Sequence, residues 1–139
     1  MLEGLLDRIR AATGGRVLVV DDDEAVREVL GDALRAEGYA VAPAPDAGAA
    51  LDRLWAAWED QPDVILLDLL LPPVVGRGFA ARYRELPVPH APIVLTAAGA
   101  GLEPIAAEPG AAAGLRKPFD LEDLLATVAR HARPERPRR

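Results

Sequence analysis

The sequence predicts an α/β fold, a doubly wound five-stranded parallel sheet with helices on both faces. Short unbroken apolar runs recur at Val17–Val20, Val64–Leu67 and Ile93–Leu95, and such runs mark strands buried on both sides. Amphipathic stretches of helical period separate them. Strand and helix alternate five times, which puts helical crossovers between parallel strands.

Taken in order, Leu2, Leu5, Leu6 and Ile9 share one helical face at i, i+3, i+4 and i+7, and Gly14 and Gly15 end that helix. Val17–Val20 is the first strand, stopped by Asp21, Asp22 and Asp23. Val26, Val29, Leu30, Ala33 and Leu34 make the next helical stripe, closed by Gly38. Tyr39 to Ala42 reads as a short, weak strand. Pro45 and Asp46 open a helix whose apolar side is Ala47, Ala50, Leu51, Leu54, Trp55 and Trp58. Val64–Leu67 is a buried strand ending at Asp68, and Pro72, Pro73, Gly76 and Gly78 read as a loop. Phe79, Ala80, Tyr83 and Leu86 indicate a helix, broken by Pro87 and Pro89. Ile93–Leu95 ends at Thr96. Residues 98–110 are irregular, with Gly99, Gly101, Pro104, Pro109 and Gly110. Ala113 to Arg116 is a short fifth strand, ended by Lys117-Pro118. Asp120 is placed to cap a last helix carrying Leu121, Leu124, Leu125 and Val128.

Composition narrows the chemistry. The 139 residues suit one domain with one core. With no cysteine, disulfide scaffolds, thiol nucleophiles and thiolate metal sites are excluded. Two histidines, His90 and His131, leave little room for a multi-histidine metal site. No apolar run approaches the roughly 18 residues of a membrane span, and no secretory signal opens the chain. The expected setting is the cytoplasm. Net charge is -6. Residues 133–139, a basic Pro/Arg tail, hold four Arg and one Glu and sum to +3, so the remainder carries -9. An acidic body is a poor nucleic-acid binder and a plausible cation binder.

Right-handed crossovers put every strand's carboxyl end on one edge, where open α/β sheets bind ligands. Asp21 to Asp23, Asp68, Thr96 and Lys117 follow or end four of the five strands. Singly, each has a bland reading as a helix cap, a turn residue, a strand-end hydroxyl or a solvated charge. Together they form a working set. Clustered carboxylates repel, and a hard cation such as Mg²⁺ relieves that repulsion through oxygen ligands. A carboxylate beside it can attack phosphorus to give an acyl phosphate. A lysine ammonium and a threonine hydroxyl can then partner the phosphoryl oxygens.

The segments VLVVDDDEAV, VILLDLLLPPVVG, PIVLTAA and GLRKPF resemble, in order and spacing, the receiver domain of two-component response regulators. The resemblance covers residues 16–132 and leaves 1–15 as an amino-terminal amphipathic extension. It implies a flavodoxin-like receiver fold with strand order 2-1-3-4-5. It makes Asp68 the phosphoacceptor. It assigns Mg²⁺ to Asp21, Asp22, Asp68 and the backbone carbonyl of Leu70. It gives Thr96 and Lys117 to the phosphoryl group and makes a cis Lys117-Pro118 bond common. Asp23 has no ligand role in the pattern and is read as the helix cap. The partners implied are a sensor histidine kinase or histidine phosphotransfer protein and a downstream protein target. The amino-terminal helix packs on its own domain or makes a homodimer contact. The chain also departs from the family. Gly114 stands where an aromatic is usual, three residues before the lysine. Pro104 interrupts the expected fourth helix at residues 99–109, so that helix is expected to be irregular. Leu70 and Ala98, which border the phosphoryl position, are apolar.

Two rivals share parts of this pattern. A haloacid-dehalogenase-type phosphatase would use Asp21 as nucleophile with Asp23 two residues on, but Glu24-Ala25 stands where that motif usually has Gly-Thr or a similar pair. A non-switching pseudo-receiver, a binding module, would keep the fold and explain Gly114, but not the complete Asp, Thr and Lys set.

Overall fold

The computed structural model describes residues 15–56, 60–68, 75–98 and 111–132. Five strands, β1 (Arg16–Val20), β2 (Ala40–Ala44), β3 (Val64–Asp68), β4 (Ile93–Ala98) and β5 (Ala111–Lys117), form one sheet in the order β2-β1-β3-β4-β5. All neighbouring strands are parallel. The helices among the described residues are α1 (Glu24–Ala36), α2 (Ala47–Ala56), α3 (Val75–Glu85) and α4 (Leu121–His131). None of these is long and apolar enough to cross a membrane.

The alternation of side chains along each strand divides the core into two layers. Val17, Val19, Val64, Leu66 and Val94 face Leu30 and Leu34 of α1 and Leu124 and Val128 of α4. Leu18, Val20, Ile65, Leu67 and Leu95 face Ala50 and Leu54 of α2 and Phe79 and Tyr83 of α3. The central strands need apolar residues at every position, which is why they read as unbroken runs.

The helix ends follow local chemistry. Asp23 caps α1, its Oδ1 accepting from the backbone N–H of Ala25 at 2.9 Å and of Val26 at 3.3 Å. At the other end Gly38 takes φ 98°, a left-handed conformation that side chains resist. Its N–H donates to the Arg35 carbonyl, and that of Tyr39 to the Leu34 carbonyl, turning the chain into β2.

Several expectations are corrected. Gly76 and Gly78 lie in α3, not in a loop. A glycine costs a helix only about 1 kcal/mol relative to alanine, and burial of Phe79, Ala80 and Tyr83 anchors the helix that they extend. Val29 and Trp55 are more than half exposed. Each adjoins a buried leucine, Leu30 or Leu54, and one helical step of about 100° turns it away. Leu121, in the first turn of α4, is also exposed. Asp120 occupies the cap position of α4, but its side chain makes no capping hydrogen bond. β2 begins at Ala40 and continues through Pro43, which an edge strand tolerates. β4 and β5 are longer than their apolar runs, reaching Ala98 and Lys117. Leu2 to Ile9, Trp58, Leu70, Pro72, Pro73, the expected irregular helix at 99–109 and the tail at 133–139 lie outside the described residues.

Candidate functional site

The sheet register builds the site. Val20 pairs with Leu67, so Asp21 and Asp68, each the next residue, emerge side by side at the carboxyl edge. Asp68 in turn pairs with Thr96 on β4, and Ala98 pairs with Lys117 on β5. The Asp21 N–H donates to the Ala44 carbonyl at 3.1 Å, which fixes the chain as it leaves β1.

Lys117 crosses this edge. Its Nζ lies 3.3 Å from Oδ2 of Asp21 and 3.5 Å from Oδ2 of Asp68. Both aspartate side chains are only 3% exposed, and the lysine side chain is 23% exposed. Asp22 is exposed and completes a carboxylate cluster. One oxygen from each of Asp21, Asp22 and Asp68 lies within 4.8 Å of the others. The other Asp21 oxygen, Oδ1, accepts from the Asp23 N–H at 2.9 Å.

Burial pushes the Asp21 carboxyl above its ordinary value, and the neighbouring Asp68 carboxylate adds to that push. The Asp23 N–H and the Lys117 ammonium oppose it without cancelling it. Three carboxylates against one ammonium leave the cluster short of positive charge even with the lysine in place. An all-oxygen, all-carboxylate donor set with that deficit fits a hard divalent cation.

Four of the predicted residues, Asp21, Asp22, Asp68 and Lys117, come together directly. Thr96 is buried one strand away, at the register position of Asp68. Leu70 lies outside the described residues. The Lys117-Pro118 bond is cis. Gly114 sits on the exposed side of β5, paired with Leu95. Sequence reasoning missed Arg27. From the first turn of α1 its Nη1 donates to the backbone carbonyl of Asp21 at 2.6 Å, holding the acidic turn. Its spacing, one turn beyond the cap, was the available signal.

Residues 17–129 match the family model of the response regulator receiver domain. The chain belongs to that family. It is 40% identical over 128 residues to the response regulator MprA of Mycobacterium avium, covering 86% of this chain and 53% of that protein. The MprA of Mycolicibacterium vanbaalenii is 41% identical over 118 residues, 81% of this chain and 48% of the relative. This chain thus spans about half the length of these curated relatives. Among solved structures, a receiver protein from Burkholderia phymatum aligns with TM-score 0.72 and 32% identity, over 85% of this chain and 94% of that one. A receiver domain protein from Clostridium thermocellum aligns with TM-score 0.73 at 22% identity, over 85% of this chain and 94% of that one, a likeness of fold. As a receiver domain, the chain is a signalling module of the two-component type, and its acidic cluster lies at the carboxyl edge of the sheet.

Proposed function

We propose that this receiver domain takes a phosphoryl group onto Asp68 from a phosphohistidine of a sensor kinase or phosphotransfer protein, in the cytoplasm, and passes the change to a protein target. The observation that carries this is the position of Asp68, buried beside Asp21 and in ion-pair distance of Lys117. In the transfer an Asp68 oxygen forms the new bond to phosphorus, the phosphorus–nitrogen bond breaks, and the imidazole leaves with that electron pair. Asp21, Asp22 and Asp68 would hold Mg²⁺, with the Leu70 carbonyl as a further ligand. The ion's chemistry there is to neutralise phosphoryl charge.

Lys117 has a second task in this scheme. It pairs with both carboxylates before transfer, and its compact, mobile ammonium suits a phosphoryl oxygen afterwards. Thr96, beside Asp68 in the sheet, offers a hydroxyl to another oxygen. Gly114 has no side chain to rotate, so relay by the family's usual aromatic movement is not available. A change at another face would carry the signal instead.

The phosphatase alternative needs Asp23 as a free acid–base group. That carboxylate is engaged with the backbone N–H groups of Ala25 and Val26 as a helix cap.

Titration with Mg²⁺ and beryllofluoride, followed by amide spectra, tests the reading. A saturable response that needs both reagents and disappears in Asp68→Asn is expected. No coupled response would make the chain a non-switching binding module.

A further inference from the structure

A second recess opens at the opposite end of the sheet from the aspartate cluster. Leu18, Ala42, Leu54 and Pro62 line it, and Arg53 and Asp60 stand among its polar groups. Its volume is about 140 Å³, similar to the roughly 150 Å³ cavity that accepts benzene. That is room for one or two aliphatic side chains. The recess exists because β2 is the edge of the sheet. Val41 and Ala42 stay half-buried there, with no further strand beyond them among the described residues. Asp60 is paired with Arg16 at 3.4 Å, while Arg53 has no ion-pair partner among the described residues.

The chain supplies an occupant from its own amino terminus. Gly15 sits at the lip of the recess, its carbonyl accepting from the Ala40 N–H at 2.9 Å, and Arg16 lines the wall. Residues 1–14 therefore begin beside the opening. They carry Leu2, Leu5, Leu6 and Ile9 on one helical face, with Glu3 and Asp7 flanking it. The six residues from Ile9 to Gly15 reach about 20 Å when extended, enough to fold the stripe back over the recess. Tethering gives the segment an effective concentration on the order of millimolar, which favours it over a separate molecule.

We infer that this recess is the docking site of the chain's own Leu2–Ile9 segment, folded as a short amphipathic helix. The leucines enter between α2 and the edge strand, and Glu3 and Asp7 approach Arg53. Docking there covers the half-buried Val41 and Ala42 of the edge strand, at the end of the sheet away from the phosphoryl site.

The absence of cysteine makes the test specific. A nitroxide is attached to Gly4→Cys in the full chain, and amide line broadening is read. Strong broadening of Val41, Ala42, Arg53 and Leu54 within one molecule is expected. It should be lost when Leu5→Glu and Leu6→Glu are added, while the spectrum of the β-sheet core stays unchanged. Mixing spin-labelled protein with isotope-labelled protein that lacks the cysteine separates the sources. Strong broadening of these amides in the mixture would assign the recess to a second copy and overturn the inference. Broadening centred on another face, uniform weak broadening, or persistence in the double Glu variant would overturn it equally.

Discussion

Lys117 Nζ stands 3.3 Å from Asp21 and 3.5 Å from Asp68, so one ammonium serves two buried carboxylates from different strands. β5 thus holds the ends of β1 and β3 together electrostatically, although it is paired with neither. The sheet order makes this possible, since β4 lies between β3 and β5 and the lysine reaches over it.

That arrangement predicts different outcomes for two substitutions. Lys117→Ala leaves both carboxylates without their shared partner, and urea unfolding should show a loss of about 1–3 kcal/mol. Lys117→Arg keeps the charge and most of the stability. It should still impair phosphorylation, because a wider, planar guanidinium does not bring a compact, mobile ammonium to the phosphoryl oxygen. Normal phosphorylation in Lys117→Arg would argue against a direct phosphate contact.

Asp21 gives a pH-dependent prediction. Its folded carboxyl is raised above the ordinary value, chiefly by burial, so the folded state holds a proton more readily than the unfolded state. Ionising Asp21 therefore destabilises the metal-free fold. The loss develops as pH rises from the unfolded value towards the folded one and is fully present above both. Asp21→Asn should stabilise the metal-free protein at pH 7, and that advantage should vanish in acid below the ordinary carboxylate range. Unfolding curves at the two pH values check it, and a less stable Asp21→Asn protein at pH 7 would contradict it.

Asp23 separates capping from catalysis. Asp23→Ala removes two acceptor contacts at the start of α1 and should cost about 1 kcal/mol. Phosphoryl uptake at saturating donor should be retained. Abolished uptake in a folded Asp23→Ala protein would favour the phosphatase-type role for this residue.

The pattern of Asp21, Asp22, Asp68 and Lys117 was legible because strand ends are written plainly. An apolar run stops at a charged residue, and parallel topology brings such ends together. The paired roles of Asp23 and Gly38 were legible for a similar reason, since capping and left-handed turns select few residue types. Gly76 and Gly78 misled because glycine weakens a helix without forbidding it, and the packing of Phe79 and Tyr83 outweighs the local preference. Val29 and Trp55 misled because periodicity gives the direction of a stripe but not its width. Arg27 was hidden because its partner is a backbone carbonyl, which carries no residue-type signal.

The most direct measurement locates the phosphoryl group itself. The chain is phosphorylated with a small acyl phosphate and Mg²⁺, the acyl phosphate is reduced with borohydride, and the modified residue is mapped by peptide mass spectrometry. Modification at Asp68 alone, absent in Asp68→Asn, is the predicted result. Modification at Asp21 that survives Asp68→Asn would contradict it.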